Sequence, residues 1–143
     1  MTRKKISIVI ADDDEDDQML VMQAINEIMD CDVNSVYNGF ELLDYLLGMG
    51  KYKGRDLLLP DFILLDLNMP LLDGFGVLSK IKAEASLRHI PIYILSTSRM
   101  DHDRKKSWEL GAHGFYTKPI LYEQLKEIIG EITRKVEGQT SRR

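Results

Sequence analysis

Apolar positions along the chain fall into five short runs, each followed by a longer stretch in which apolar residues recur at helical spacing. Ile6-Ser7-Ile8-Val9-Ile10 has the character of a strand and stops at an acidic cluster. Leu20, Ala24, Ile25 and Ile28 then mark the apolar side of a helix over 15–29. A second strand is expected over 32–36, ending before Asn38-Gly39, and Phe40, Leu43, Leu46 and Leu47 mark the helix that follows. Gly48 to Gly54 reads as a loop bounded by Pro60-Asp61. Phe62-Ile63-Leu64-Leu65 is continuously apolar, as in a strand covered on both faces.

A third helix is expected over 74–85 through Val77, Leu78 and Ile81. Pro91 opens Ile92-Tyr93-Ile94-Leu95, and a charged helix over 99–110 closes at Gly111. Phe115-Tyr116-Thr117 is a short fifth strand, with Lys118-Pro119 after it. Leu121, Leu125, Ile128, Ile129, Ile132 and Val136 share one face of the last helix, which Gly138 is expected to end. Strand followed by helix, five times over, predicts an α/β fold: a doubly wound, five-stranded parallel sheet with helices on both faces. The chain reads as a single domain over 1–143, with its core at about 5–136 and a polar tail over 137–143.

Composition narrows the classes. Of 143 residues, 44% are hydrophobic and 29% charged, enough for a core and a solvated surface. The net charge of -4 gives no general attraction to nucleic acid or anionic membrane. Arg3-Lys4-Lys5 and Arg142-Arg143 read as solvated ends. No run approaches the roughly 18 apolar residues of a membrane span, and neither nucleic acid nor membrane is expected as a partner. Cys31 is the only cysteine, which excludes an internal disulfide and fits a reducing, cytoplasmic setting.

In sheets of this kind the chemistry sits beyond the carboxyl ends of the strands. Asp12 and Asp13 follow the first strand, Asp66 the third, Ser96-Thr97-Ser98 close the fourth, and Lys118 follows the fifth. Three crowded carboxylates repel one another unless a cation lies among them. Magnesium takes an octahedral oxygen shell with only one or two carboxylates, leaving room for phosphate. A carboxylate is also a covalent phosphoryl acceptor. Ser96 can hydrogen-bond a phosphate oxygen, and the Lys118 ammonium can offset its charge.

Simpler roles compete for single residues. Asp14 suits an N-cap, and Glu15, Asp16 and Asp17 suit the positive end of the first helix. A calcium loop counted from Asp12 fails, because its sixth and twelfth places hold Asp17 and Gln23. His89, His102 and His113 share no metal-ligand spacing and read as loop or surface residues, while Trp108 reads as core in preference to part of a contact surface.

Together, Ile8-Val9-Ile10-Ala11-Asp12-Asp13, Ile63-Leu64-Leu65-Asp66-Leu67-Asn68-Met69-Pro70, Asp73-Gly74, Gly111-Ala112 and Lys118-Pro119 resemble the receiver domain of two-component response regulators. The likeness runs over about 5–136 and implies a flavodoxin-like sheet of strand order 2-1-3-4-5. It implies that Asp66 is the residue modified, phosphorylated by a sensor histidine kinase. Magnesium would be held by Asp13 directly, by Asp12 largely through water, by Asp66, and by the Asn68 backbone carbonyl. Ser96 stands where the family has its switch hydroxyl, Lys118 where it has its phosphate-contacting lysine, and the Lys118-Pro119 peptide is expected cis. Phe115 stands where the family often has Tyr, as the aromatic that moves when Ser96 does.

No output domain is expected after Val136, and 49–59 is expected to lengthen the approach to the third strand. Both features resemble the stand-alone regulators that accompany bacterial phytochromes, some of which dimerise. The expected product is a phosphoacceptor switch acting on a downstream protein. Two rival readings compete with it: a phosphohydrolase with Asp12 as nucleophile, whose Asp-x-Asp-x-Thr-like run would end at Asp16 here, and a phosphorylation-independent adaptor.

Overall fold

The computed structural model describes residues 5–54 and 59–141. In chain order the elements are β1 (Ser7–Ala11), α1 (Glu15–Ile28), β2 (Asp32–Val36), α2 (Gly39–Leu47), β3 (Phe62–Leu65), α3 (Gly74–Ala83), β4 (Ile92–Ser96), α4 (Asp101–Glu109), β5 (Gly114–Thr117) and α5 (Tyr122–Ser141). All strand pairs are parallel and the order is β2-β1-β3-β4-β5, as the family resemblance implied.

Alternation along each strand divides the core in two. Val9, Ala11, Ile63, Leu65, Ile92 and Ile94 point to one face, where Leu42, Leu46, Val77, Leu78 and Ile81 of α2 and α3 cover them. Ile8, Ile10, Phe62, Leu64, Tyr93 and Leu95 point to the other, under Val21, Ala24 and Ile25 of α1 and Leu125, Ile129, Ile132 and Val136 of α5. Because helices close over both faces, the central strands are buried at every position and almost continuously apolar instead of alternating.

Helices α1, α2 and α3 start where short polar side chains can satisfy their free N–H groups. Asp14 accepts from Asp17 N–H, Asn38 from Glu41 N–H, and Asp73 from Gly76 N–H. Helix α4 differs, since Met100 at its start offers no side-chain cap. At Gly39 an added Cβ would lie 2.2 Å from the Leu72 carbonyl oxygen, so only glycine lets α2 pass this close to the β3–α3 loop.

Several sequence expectations shift. Leu20, Ile28, Phe40 and Leu47 are exposed, so the buried stripes of α1 and α2 are centred on Val21, Ala24 and Ile25, and on Leu42, Tyr45 and Leu46. Trp108 is not core: α4 buries only Ser107, and the indole is 52% exposed. Gly138 does not end α5, which runs on to Ser141, so 137–141 is helix where a tail was expected. A glycine ends a helix through a left-handed C′ position and is otherwise tolerated within it at about 1 kcal/mol. The loop after α2 also contains structure. A 3-10 turn over Gly50–Tyr52 folds back on α2, with Tyr52 edge-on to Tyr45 and its hydroxyl 3.0 Å from Glu41. The remainder of the expected 49–59 extension includes 55–58, which lie outside the described residues.

Candidate functional site

The register brings the strand ends level. Ala11 pairs with Leu65, Leu65 with Ile94, and Ser96 with Thr117. The backbone ladder continues one step beyond: Asp66 N–H donates to the Ala11 carbonyl and Lys118 N–H to the Ser96 carbonyl. Asp12, Asp66 and Lys118 therefore leave neighbouring strands on one edge.

Each of Asp12, Asp13 and Asp66 offers a carboxylate oxygen within 4.8 Å of the other two. Asp12 and Asp66 are buried, while Asp13 stands at the open side. Asp12 Oδ1 accepts from Asp14 N–H at 2.9 Å and its Oδ2 from Lys118 Nζ at 2.8 Å. Asp66 Oδ1 accepts from Asn68 N–H at 3.1 Å. Its Oδ2 is 3.7 Å from Lys118 Nζ, an ion-pair distance but not a hydrogen bond.

Burial pushes the Asp66 carboxyl up to about 6, with Asp12 adding to the rise and Lys118 and Asn68 N–H opposing it. The partly buried Lys118 is held above its ordinary value, because hydrogen bonds to Asp12 and Asp17 and the charge of Asp66 outweigh desolvation. One ammonium thus faces three buried or half-buried carboxylates, with Asp13 alongside, and negative charge is left over. An oxygen donor set of that charge, open at Asp13 and unsettled at Asp66, fits a hard divalent cation.

Ser96 is fully buried at the end of β4, and its Oγ accepts from Ser98 N–H at 3.2 Å. Ser98 Oγ donates to Asp103 Oδ2 at 2.6 Å, which links this strand end to the first turn of α4. Phe115 lies inward on β5, 7% exposed, with the Arg104 guanidinium 5.0 Å over its ring. The Lys118-Pro119 peptide is cis.

Three residues make contacts at this site that were not legible in the sequence. Asp17 Oδ2 accepts from Lys118 Nζ at 2.9 Å, in addition to lying in the acidic first turn of α1. Gln18 is buried, and its Nε2 donates to the carbonyls of Ile10, Asp12 and Val36, tying β1 to β2 beneath Asp12. Its place one turn before Val21 on the buried stripe was the available signal. Asn68 Nδ2 reaches Thr97 Oγ1 at 3.4 Å across the mouth of the site.

Residues 8–130 match the response regulator receiver domain family, and the chain belongs to it. Among curated proteins it is 33% identical to the probable methanogenesis regulatory protein FilR2 of Methanothrix harundinacea, over 87% of this chain and 79% of that one. It is 32% identical to response regulator Rcp1 of Synechocystis, over 85% and 82%. The crystal structure of the phosphorylated cyanobacterial phytochrome response regulator RcpA is 35% identical, with a TM-score of 0.80 and 91% of each chain covered. A Mn(2+)-bound form of Rcp1 superposes with a TM-score of 0.78 at 30% identity, over 87% of this chain and 90% of that one. Receiver domains are phosphoacceptor switches that bind divalent metal, and the aspartate cluster here is of the metal-binding kind. Among the described residues, no helix is long and apolar enough to cross a membrane.

Proposed function

We propose that this protein accepts a phosphoryl group on Asp66 from a sensor histidine kinase, in a magnesium-dependent reaction, and thereby switches a protein-docking surface. The carrying observation is the meeting of the Asp12, Asp13 and Asp66 carboxylates at one strand edge with the Lys118 ammonium beside them.

Asp13, Asp12 and Asp66 would hold magnesium with the Asn68 carbonyl, and the ion, when bound, would neutralise charge on the incoming phosphoryl oxygens. An Asp66 carboxylate oxygen attacks the phosphorus of a phosphohistidine; the P–N bond breaks, and the imidazole leaves and takes up a proton. Asn68 N–H orients the attacking carboxylate by holding its other oxygen. Lys118 supplies a positive charge to the phosphoryl group from the side of β5.

Phosphorylation adds about -1.5 to -2 units of charge and three strong acceptors. Ser96 Oγ, now occupied only as an acceptor from Ser98 N–H, turns its hydroxyl toward those oxygens. That withdraws the acceptor on which Ser98 depends and disturbs the Ser98–Asp103 bond to α4. Phe115 on β5 lies under Arg104 of the same α4, so the face built from α4, β5 and α5 changes its preference for a downstream protein. The likeness to RcpA and Rcp1 supports a phytochrome-type kinase as donor. A cytoplasmic, single-domain regulator able to form a homodimer completes this reading; nucleic acid and membrane have no part in it.

Incubation with acetyl phosphate and magnesium tests the assignment. Wild type takes up one phosphoryl group and Asp66→Asn none. Equal labelling of the variant refutes the site.

A further inference from the structure

We infer that Asp17 is a positioning residue for the phosphoryl-transfer reaction, holding the Lys118 ammonium so that its remaining N–H faces Asp66; this rests on Asp66 being the acceptor. An ammonium has three N–H donors at fixed tetrahedral angles. Two of them are accounted for by Asp12 Oδ2 at 2.8 Å and Asp17 Oδ2 at 2.9 Å. The nearest remaining partner is Asp66 Oδ2 at 3.7 Å, too far for a hydrogen bond. The third donor is therefore held toward the acceptor without being consumed by it. A phosphoryl oxygen, which projects beyond the carboxylate that carries it, meets that donor while the other two stay in place.

A role confined to the start of α1 does not account for the Asp17 side chain. Glu15 and Asp16 already place negative charge in the first turn and lie exposed, and Asp14 supplies the cap. Asp17 contributes its backbone N–H to that cap, yet its carboxylate turns away to a lysine 101 positions further along the chain. Lysine has a long stem with about 2 kcal/mol of rotamer freedom, so one anchor leaves its head mobile and two fix it. Asp12, already bonded to Asp14 N–H and placed among the candidate cation ligands, cannot alone hold both the lysine's position and its direction.

The two variants that separate positioning from charge are Asp17→Ala, which removes the acceptor, and Asp17→Asn, which keeps an acceptor oxygen on the same stem without the charge. In the resting, metal-free protein, low-temperature 1H–15N spectra are expected to show a slowly exchanging Lys118 ammonium in wild type and Asp17→Asn. That signal disappears in Asp17→Ala. With acetyl phosphate and magnesium, the maximal labelling rate falls roughly three- to tenfold in Asp17→Ala, with little change in half-saturating donor, and returns to within about twofold in Asp17→Asn. Unchanged protection and rate in Asp17→Ala would overturn the inference, and so would an Asp17→Asn protein as slow as Asp17→Ala. If wild type took up no phosphoryl group, the acceptor assignment would fall, while the ammonium spectra would still decide whether Asp17 holds Lys118.

Discussion

Lys118 Nζ stands 3.7 Å from Asp66 Oδ2, while its hydrogen bonds go to Asp12 and Asp17. The resting site therefore leaves the acceptor carboxylate buried and only partly compensated. This has a measurable cost. The folded Asp66 carboxyl titrates near 6, above its ordinary 3.8. As pH rises through that window the unfolded chain releases the proton first, so the native state binds more protons and stability falls. Asp66→Asn removes this loss and keeps an acceptor for Asn68 N–H. Metal-free Asp66→Asn is expected to be about 1–2 kcal/mol more stable than wild type at pH 7, a figure discounted for solvent screening. Chemical denaturation at several pH values should show the two proteins converging below about pH 4.

Magnesium should offset most of that difference. At ten times its dissociation constant, a ligand that binds only the native state adds about 1.4 kcal/mol, or about 3–6 °C in Tm for a chain of this size. Wild type should show this rise in a thermal scan, and Asp13→Asn should show little of it. Asp13 is the exposed member of the cluster, so its replacement leaves the buried charges as they are.

Ser96 is the hinge between chemistry and output in this account. Its hydroxyl is buried and accepts from Ser98 N–H, which in turn connects through Ser98 Oγ to Asp103 on α4. Ser96→Ala should still accept a phosphoryl group on Asp66. The accompanying change in the Phe115 ring signals, followed by NMR, should be lost or much reduced. A full-sized change in Ser96→Ala would place the coupling elsewhere.

The strands and the acids at their ends were readable because a central parallel strand is a nearly continuous apolar run, which makes its carboxyl end easy to find. Asp12, Asp13, Asp66 and Ser96 sit at such ends, and Lys118 follows the edge strand β5. Asp17 was not readable in the same way. An acid in the first helical turn already has a local explanation, and the partner that gives it another lies across the sheet. Gln18 was lost because a single polar residue on an apolar stripe carries little weight, though here it fastens β1 to β2. Trp108 misled for the opposite reason: aromatic character suggests burial, but α4 packs through small Ser107 and leaves the indole outside. The turn at Gly50–Tyr52 depends on Glu41 and Tyr45 in α2, contacts that no local pattern announces.

The loops around the site carry their own stability signature. Leu71 is 78% exposed with φ +71°, a left-handed conformation that a leucine adopts at a cost. Leu71→Gly should stabilise the protein by roughly 0.5–1 kcal/mol. Gly39→Ala should do the reverse by about 2 kcal/mol or more, since its Cβ would meet the Leu72 carbonyl at 2.2 Å. Paired urea titrations would show both signs.

The most direct test is to locate the acyl phosphate itself. After reaction with acetyl phosphate and magnesium, borohydride converts a phosphorylated aspartate to homoserine, which peptide mass mapping places in the chain. The account predicts homoserine at position 66 and at no other. Homoserine at position 12 or 13 instead would contradict it.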